Sequence, residues 1–277
     1  MRQEVRRVSE RRACRILGVS RSSVRLRPDR PPRGPVVDEL LAARIQGVIR
    51  AHPTFGYRRI WALLRFREGI EVNRKAVYRV LKLKGWFVHQ RWVTPRPRVR
   101  GKRSAAKRSN ERWAMDVTHI PCGRDGWAHL AAVIDCHDRE VVGYEFSLRG
   151  RAKEAERALE EACIRRFGTL RPSGPTPVVR SDNGLVFQSR RFRGACRQYR
   201  LSQEFITPYT PEQNGIVERF FRSLKEECVW QHQFTSFAEA RRVIGSWIRW
   251  YNQRRPHQSL GYLSPAEYRA QQLQQVA

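Results

Sequence analysis

Apolar positions in the first ninety residues recur at helical spacing. Ala13, Ile16 and Leu17 make a short apolar face that stops at Gly18, and Ser20 is placed to cap a second, basic helix running to Arg27. Helix, glycine turn and capped basic helix is the pattern of a helix-turn-helix, here over residues 1–27. Residues 28–37 are a proline-rich linker. From 38 to 90 the pattern returns. Leu40, Leu41, Ile45, Val48 and Ile49 predict one helix, RRIWALLRF a second, and Asn73 caps a third, RKAVYRVLKLKGW, closed by Gly85. This is a second helix-turn-helix shape with a basic last helix. Residues 91–110 carry little apolar content and the prolines Pro95 and Pro97, so they read as a basic tether.

The period then shifts to that of strands. RWAMDVTHI, GWAHLAAVID and REVVGYEFS are three β-prone runs with short connections, an antiparallel meander. A helix follows (RAKEAERALEEACIRRF), then the strand TPVVRS, a helix around Ser189–Tyr199, the short strand LSQEFI, and a helix containing Glu218. The expected unit, residues 111–230, is an α/β domain with a five-stranded mixed sheet ordered 3-2-1-4-5. Residues 231–277 form a helical extension. Ser236 and Glu239 read as a capping box, and FAEARRVIGSWIRWYNQ is apolar and aromatic along one side. It is expected to pack on the α/β domain, its aromatics as core rather than as platforms for bases.

Charge adds a partner to this picture. The 277 residues carry a net +29. Residues 1–110 hold 30 Lys/Arg against 7 Asp/Glu, a net of +23, and the remainder is nearly balanced. A polycationic front half calls for phosphate, and so for nucleic acid. A membrane partner is disfavoured, because no apolar run approaches the roughly 20 residues of a span and the N-terminus has no apolar signal core. The six cysteines form no C-x-x-C and read as reduced core thiols of a cytosolic protein. His119, Cys122, His129, Cys136 and His137 are zinc-ligand types, but they straddle two strands without paired spacing, so zinc is set aside.

Two aspartates stand where strands disfavour them: Asp116 within the first strand and Asp182 at the end of the fourth. With strands one and four neighbours, they become adjacent. The helix beyond them projects Ile216, Val217, Phe220, Leu224 and Cys228 to one side and Asn214, Glu218, Arg222 and Lys225 to the other. Taken singly, Glu218 is an ordinary solvated acid and Asp182, before Asn183 and Gly184, a turn residue. Together the three carboxylates form a hard oxygen donor set suited to Mg²⁺. Two such ions about 3.5–4 Å apart serve in-line phosphoryl transfer.

The order Asp in MDVT, Asp in SDNG and Glu in NGIVERF, with 35 residues between the last two and Lys225 seven after Glu218, resembles the DDE transposase and retroviral integrase superfamily. More narrowly, it resembles the second-reading-frame (OrfB-type) transposases of bacterial insertion sequences. The tail WIRWYNQRRPHQSLGYLSPAEY and the front module FGYRRIW…VNRKAVYRVLKLKGW resemble that group too, so the likeness covers about residues 9–268. It implies an RNase H-like fold and a cytoplasmic, DNA-bound enzyme that cuts and joins strands. Asp116, Asp182 and Glu218 would hold two Mg²⁺ ions, with Mn²⁺ able to substitute. Lys225, Arg222 and Asn214 near the site become candidate DNA contacts. So do Arg96, Arg98, Arg100, Lys102 and Arg103 in the tether, and Arg74, Lys75 and Arg21 in the helical modules. Asn214 and His119 are candidates to flank the site. Asp135 is a further ligand candidate, with a turn aspartate as the plainer reading. The implied partners are element ends, target DNA, further copies of the chain and an upstream-frame protein. Two other readings stay open: a DNA-binding regulator with an inactive integrase-like domain, and a nuclease that cuts without joining.

Overall fold

Asp38 and Asn73 open two of the three helices that follow the linker, each accepting a backbone N–H within the first turn (Leu41 at 3.0 Å, Lys75 at 2.8 Å). The computed structural model describes residues 8–24, 36–88, 106–207 and 210–276. The tether arginines and lysine at 96, 98, 100, 102 and 103 lie outside that set, as does the end of the first predicted helix-turn-helix. Within it, α1 (Glu10–Ile16) and α2 (Arg21–Val24) flank Gly18 at φ 64°, and Ser20 caps α2. Next come α3 (Glu39–Ala51), α4 (Tyr57–Phe66) and α5 (Arg74–Lys84), and Gly85 ends α5 at φ 68°. Ile45, Phe55, Ile60, Leu64, Val77 and Leu81 form their core. Leu40, expected inside, is 84% exposed, because the buried seam of α3 runs through Ala42, Ile45 and Val48.

The sheet has the expected order. β1 (Arg112–Pro121), β2 (Trp127–Asp135) and β3 (Val141–Ser147) are antiparallel, whereas β4 (Val178–Ser181) runs parallel to β1, and β5 (Ser202–Phe205) parallel to β4. The spatial order is β3-β2-β1-β4-β5. Helix α6 (Ala152–Phe167) crosses between the two halves, and Gly143 lets it lie close, since a Cβ there would collide with the Ala158 carbonyl. The sequence pattern predicts a single helix between β4 and β5; there are two, α7 (Leu185–Gln188) and α8 (Arg190–Gln198). Strand alternation splits the core. Trp113, Met115 and Val133 pack with α6 and α8 on one face. Ala114, Ile120 and Ala132 pack on the other against α9 (Gly215–Glu227) and α10 (Phe237–Gln253).

The C-terminal extension does more than cover the sheet. Ala240, Ile244, Ile248 and Tyr251 of α10 pack on it as expected, but Trp250 turns to the front module and stacks on His52 at 5.1 Å. Glu227 at the end of α9 holds Arg59 of α4 and Arg255 beyond α10, each at 2.7 Å. Helix α11 (Pro265–Val276) adds an ion pair from Glu267 to Arg67. The extension thus ties the helical module to the sheet domain.

Candidate active site

Parallel pairing of Ala114 with Arg180 sets the register of β1 and β4. Asp182 follows directly on the end of β4, and its charge bears on Asp116. Asp116 pairs with Ala132, whose side chain lies on the α9 face, so the carboxylate of Asp116 is directed there also. Helix α9 brings Glu218 over that face. Asp116, Thr118, Glu218, Arg222 and Lys225 line an open groove of about 1070 Å³, whose rim includes Thr54 and Val88 from the helical module.

The electrostatics record the convergence. Burial pushes the Asp116 carboxyl up to about 7; a hydrogen bond from the Val117 N–H opposes this, the charges of Asp182 and Glu218 add to it, and Lys225 relieves it in part. Glu218 is also raised, by burial first and then by Glu212. Asp116 Oδ1 accepts from Val117 N at 2.7 Å and Asp182 Oδ1 from Gly184 N at 3.0 Å. Among the described residues neither Oδ2 has a hydrogen-bond partner, and Asp116 lines the groove. No three carboxylate, imidazole or thiol groups among the described residues already close on one point as a finished metal cage. The donor set nonetheless fits a hard divalent cation in its chemistry: carboxylate oxygens only, like charges near one another, with Lys225, Arg219 and Arg222 along the same groove.

Asp116 has a measurable consequence. A carboxyl raised in the folded state stabilises below its unfolded value, and that contribution is lost as pH rises through the folded value. Metal-free Asp116→Asn protein is therefore expected to melt above wild type at pH 8 and level with it near pH 4. Thermal unfolding in chelator at both pH values tests this, and identical melting curves at pH 8 would show that residue 116 is not crowded.

Gly184, read from sequence only as part of a turn, has a specific role. A Cβ there would come 2.9 Å from Asp182 Oδ1, within the turn that holds this carboxylate. Gly184→Ala is expected to leave the melting temperature nearly unchanged while lowering activity about 10-fold or more, because an ångström of misplacement at a reacting centre is costly. Wild-type activity in a folded Gly184→Ala protein would remove that role.

Several expected neighbours of the site lie elsewhere. Asn214 is not on the solvated face of α9: it is 2% exposed and donates to the Met115 carbonyl at 3.4 Å, pinning the start of α9 to β1 rather than reaching DNA. His119 is three residues from Asp116, hence on the other face of the strand, where its ring meets His129 at 4.6 Å. Asp135 is fully buried, accepts from the Asn110, His137 and Asp138 amides, and faces Arg166, so it is a turn residue and not a metal ligand. Arg222 lines the groove but bonds Glu226 at 2.7 Å. Arg74, Lys75 and Arg21 are exposed, Arg74 over the Trp61 ring and Arg21 3.7 Å from Glu10. Arg219, which bounds the groove, gave no sequence signal.

Residues 106–211 and 199–265 match the integrase core domain family, and residues 36–91 match the HTH-like domain family. The chain is 36% identical over 265 residues to an uncharacterised 39.2 kDa protein of insertion element IS476 from Xanthomonas euvesicatoria, covering 95% of this chain and 73% of that one. It is 31% identical over 231 residues to the Escherichia coli transposase InsD of insertion element IS2, covering 81% of this chain and 76% of InsD. This chain belongs to the insertion-element transposase family. The fold is also that of a simian T-cell lymphotropic virus intasome chain, with TM-score 0.51 at 18% identity over 75% of this chain and 73% of that chain. The family match thus spans the HTH-like module, the sheet with its three acids, and the start of the tail.

Proposed function

We propose that this chain is the transposase of a bacterial insertion sequence, binding element ends and catalysing Mg²⁺-dependent strand cleavage and strand transfer. The observation that carries the reading is an open groove lined by Asp116 and Glu218, in which a buried Asp116 also feels the charge of Asp182. Asp116, Asp182 and Glu218 would hold the metal. When bound, a pair of Mg²⁺ ions supplies Lewis acidity to both the attacking and the leaving oxygen of the phosphodiester. Lys225, two turns along α9 in the same groove, would hold a DNA phosphate near Glu218. Asn214 and Gly184 position the acids, the first by anchoring α9, the second by shaping the turn under Asp182. Rigid strands under two of the acids suit a reaction that depends on placement.

The protein would act in the cytoplasm as a DNA-bound oligomer. Among the described residues no helix is long and apolar enough to cross a membrane. An upstream-frame protein would add end recognition. Purified protein incubated with end DNA and Mg²⁺, against a chelator control, is expected to give joined products. Nicks without joining would favour the nuclease reading, and DNA binding with neither would favour the regulator.

A further inference from the structure

Beyond Arg219 the groove gives way to a second cavity of about 740 Å³, and Arg219 lines both. Its walls come from three parts of the chain: the first turn of α4, the sheet domain through Arg139 and the start of α9, and the tail after α10. Among the described residues five guanidiniums line it, from Arg58, Arg59, Arg139, Arg219 and Arg255, and no carboxylate does. Arg59 and Arg255, the more buried pair, share Glu227. Arg58 donates only to neutral oxygens, Tyr57 Oη at 3.2 Å and Gln258 Oε1 at 3.4 Å. For Arg58, Arg139 and Arg219 no described carboxylate forms an ion pair. Among the described residues the five guanidiniums thus share one ion-paired carboxylate, Glu227.

A second feature points the same way. Helix α4 begins at Gly56, which has no side chain to cap it, and its first turn has no acidic residue. Instead Arg58 and Arg59 stand at the positive end of its dipole, an arrangement that disfavours the helix unless an anion is present. Gly56, Tyr57 and Arg58 all border the cavity. The Tyr57 and Arg58 amides, which have no hydrogen-bond partner among the described residues, and the surrounding guanidiniums are the donors that bind phosphate oxygens, arginine often in a bidentate way. Arg58 and Arg219 are exposed, so the mouth opens to solvent.

We propose that this cavity takes a backbone phosphate of DNA, on the strand that continues past Arg219 from the carboxylate groove. The inference rests on the transposase reading and adds to it a second phosphate site outside the reacting centre. The site needs the HTH-like module, the sheet domain and the tail at once, so a phosphate bound there fixes the module against the catalytic face. That gives the tail arginine and the α4 arginines a part in holding substrate.

The test uses the full chain with Arg58→Gln, and with Arg58→Gln plus Arg139→Gln, neither residue bonded to Glu227. Binding of a labelled end duplex is measured by anisotropy across a salt series, and folding by melting temperature. For every phosphate no longer neutralised, the slope of log K against log salt should flatten by about 0.9. The expected result is weaker, less salt-dependent binding with an unchanged melting temperature. Arg58→Gln alone is at an exposed position and reads out even if the double variant fails to fold. Unchanged affinity and slope in a folded variant overturns the inference while leaving the transposase reading intact. Wild-type protein that binds no DNA overturns both. A further arm titrates inorganic phosphate by calorimetry. Tight phosphate binding that Arg58→Gln abolishes, with DNA affinity untouched, identifies a structural anion site and also overturns the proposal.

Discussion

Replacing Asp116 or Asp182 by Asn, or Glu218 by Gln, is expected to lower Mg²⁺-dependent cleavage and joining by at least about 10³-fold while leaving DNA affinity within a few-fold of wild type. Each change keeps the side chain's volume and removes one charge from the proposed metal site. Metal-borne stabilisation of charge in such a transition state is worth several kcal/mol, and each 1.36 kcal/mol is tenfold in rate. The three acids sit on a sheet strand, a strand end and a helix packed across them, so their loss should not propagate into the core. DNA affinity is the control, because it depends on the arginines and lysines of the front half and of the groove. Substantial joining by any one variant would take that residue out of the site, and loss of binding in step with activity would mean that the acids matter for folding instead.

The fold is legible in the sequence because its signals are local, and the positions proposed for the three acids follow from the same local signals. The apolar strand runs and the alternation of helix and strand behind them suffice for the order β3-β2-β1-β4-β5, which makes the strands that carry Asp116 and lead into Asp182 neighbours. Asn214 is misplaced by a uniform helix projected back to the prolines, whereas residues Pro211–Asn214 form a 3₁₀ turn. With about three residues per turn instead of 3.6, the phase before Gly215 differs from that of α9. His119 can be placed from sequence, since an odd separation from Asp116 along a strand puts it on the other face. Asp135 is legible as the turn residue of the plainer reading, since it accepts from the nearby His137 and Asp138 amides; only its ion pair with Arg166, 31 positions away, is hidden. The arginine cavity is equally hidden. Arg58, Arg139, Arg219 and Arg255 come from four separated stretches, each of which alone reads as a solvated basic residue.

Glu227 carries the other large expectation. Nine residues after Glu218 on the same helix, it is the single acid between Arg59 of the HTH-like module and Arg255 of the tail, with side chains 6%, 24% and 7% exposed. Burial alone would raise its carboxyl, but the hydrogen bond and charge of Arg255, followed by Arg59, hold it below the usual range. The two arginines respond differently. Burial and the neighbouring Arg255 lower Arg59, while the bond to Glu227 keeps Arg255 raised, so Arg255 is the stronger partner. Glu227→Gln leaves two guanidiniums buried without a counter-charge, a change that costs about 3–5 kcal/mol when one partner of a buried pair is removed. For a chain of this size that corresponds to a fall of roughly 10 °C in melting temperature. The sign with pH is fixed by the depressed carboxyl. Its contribution is present above the ordinary carboxylate value and is lost as pH falls through the lower folded value. The gap between wild type and Glu227→Gln should therefore be full at pH 7 and shrink in acid, as wild-type Glu227 takes up its proton. Thermal unfolding at pH 7 and near pH 3 measures both. A variant that melts with wild type at pH 7 would mean that the two arginines find water or an anion in place of Glu227, and that Trp250 on His52 and Glu267 with Arg67 hold the module to the sheet domain without it.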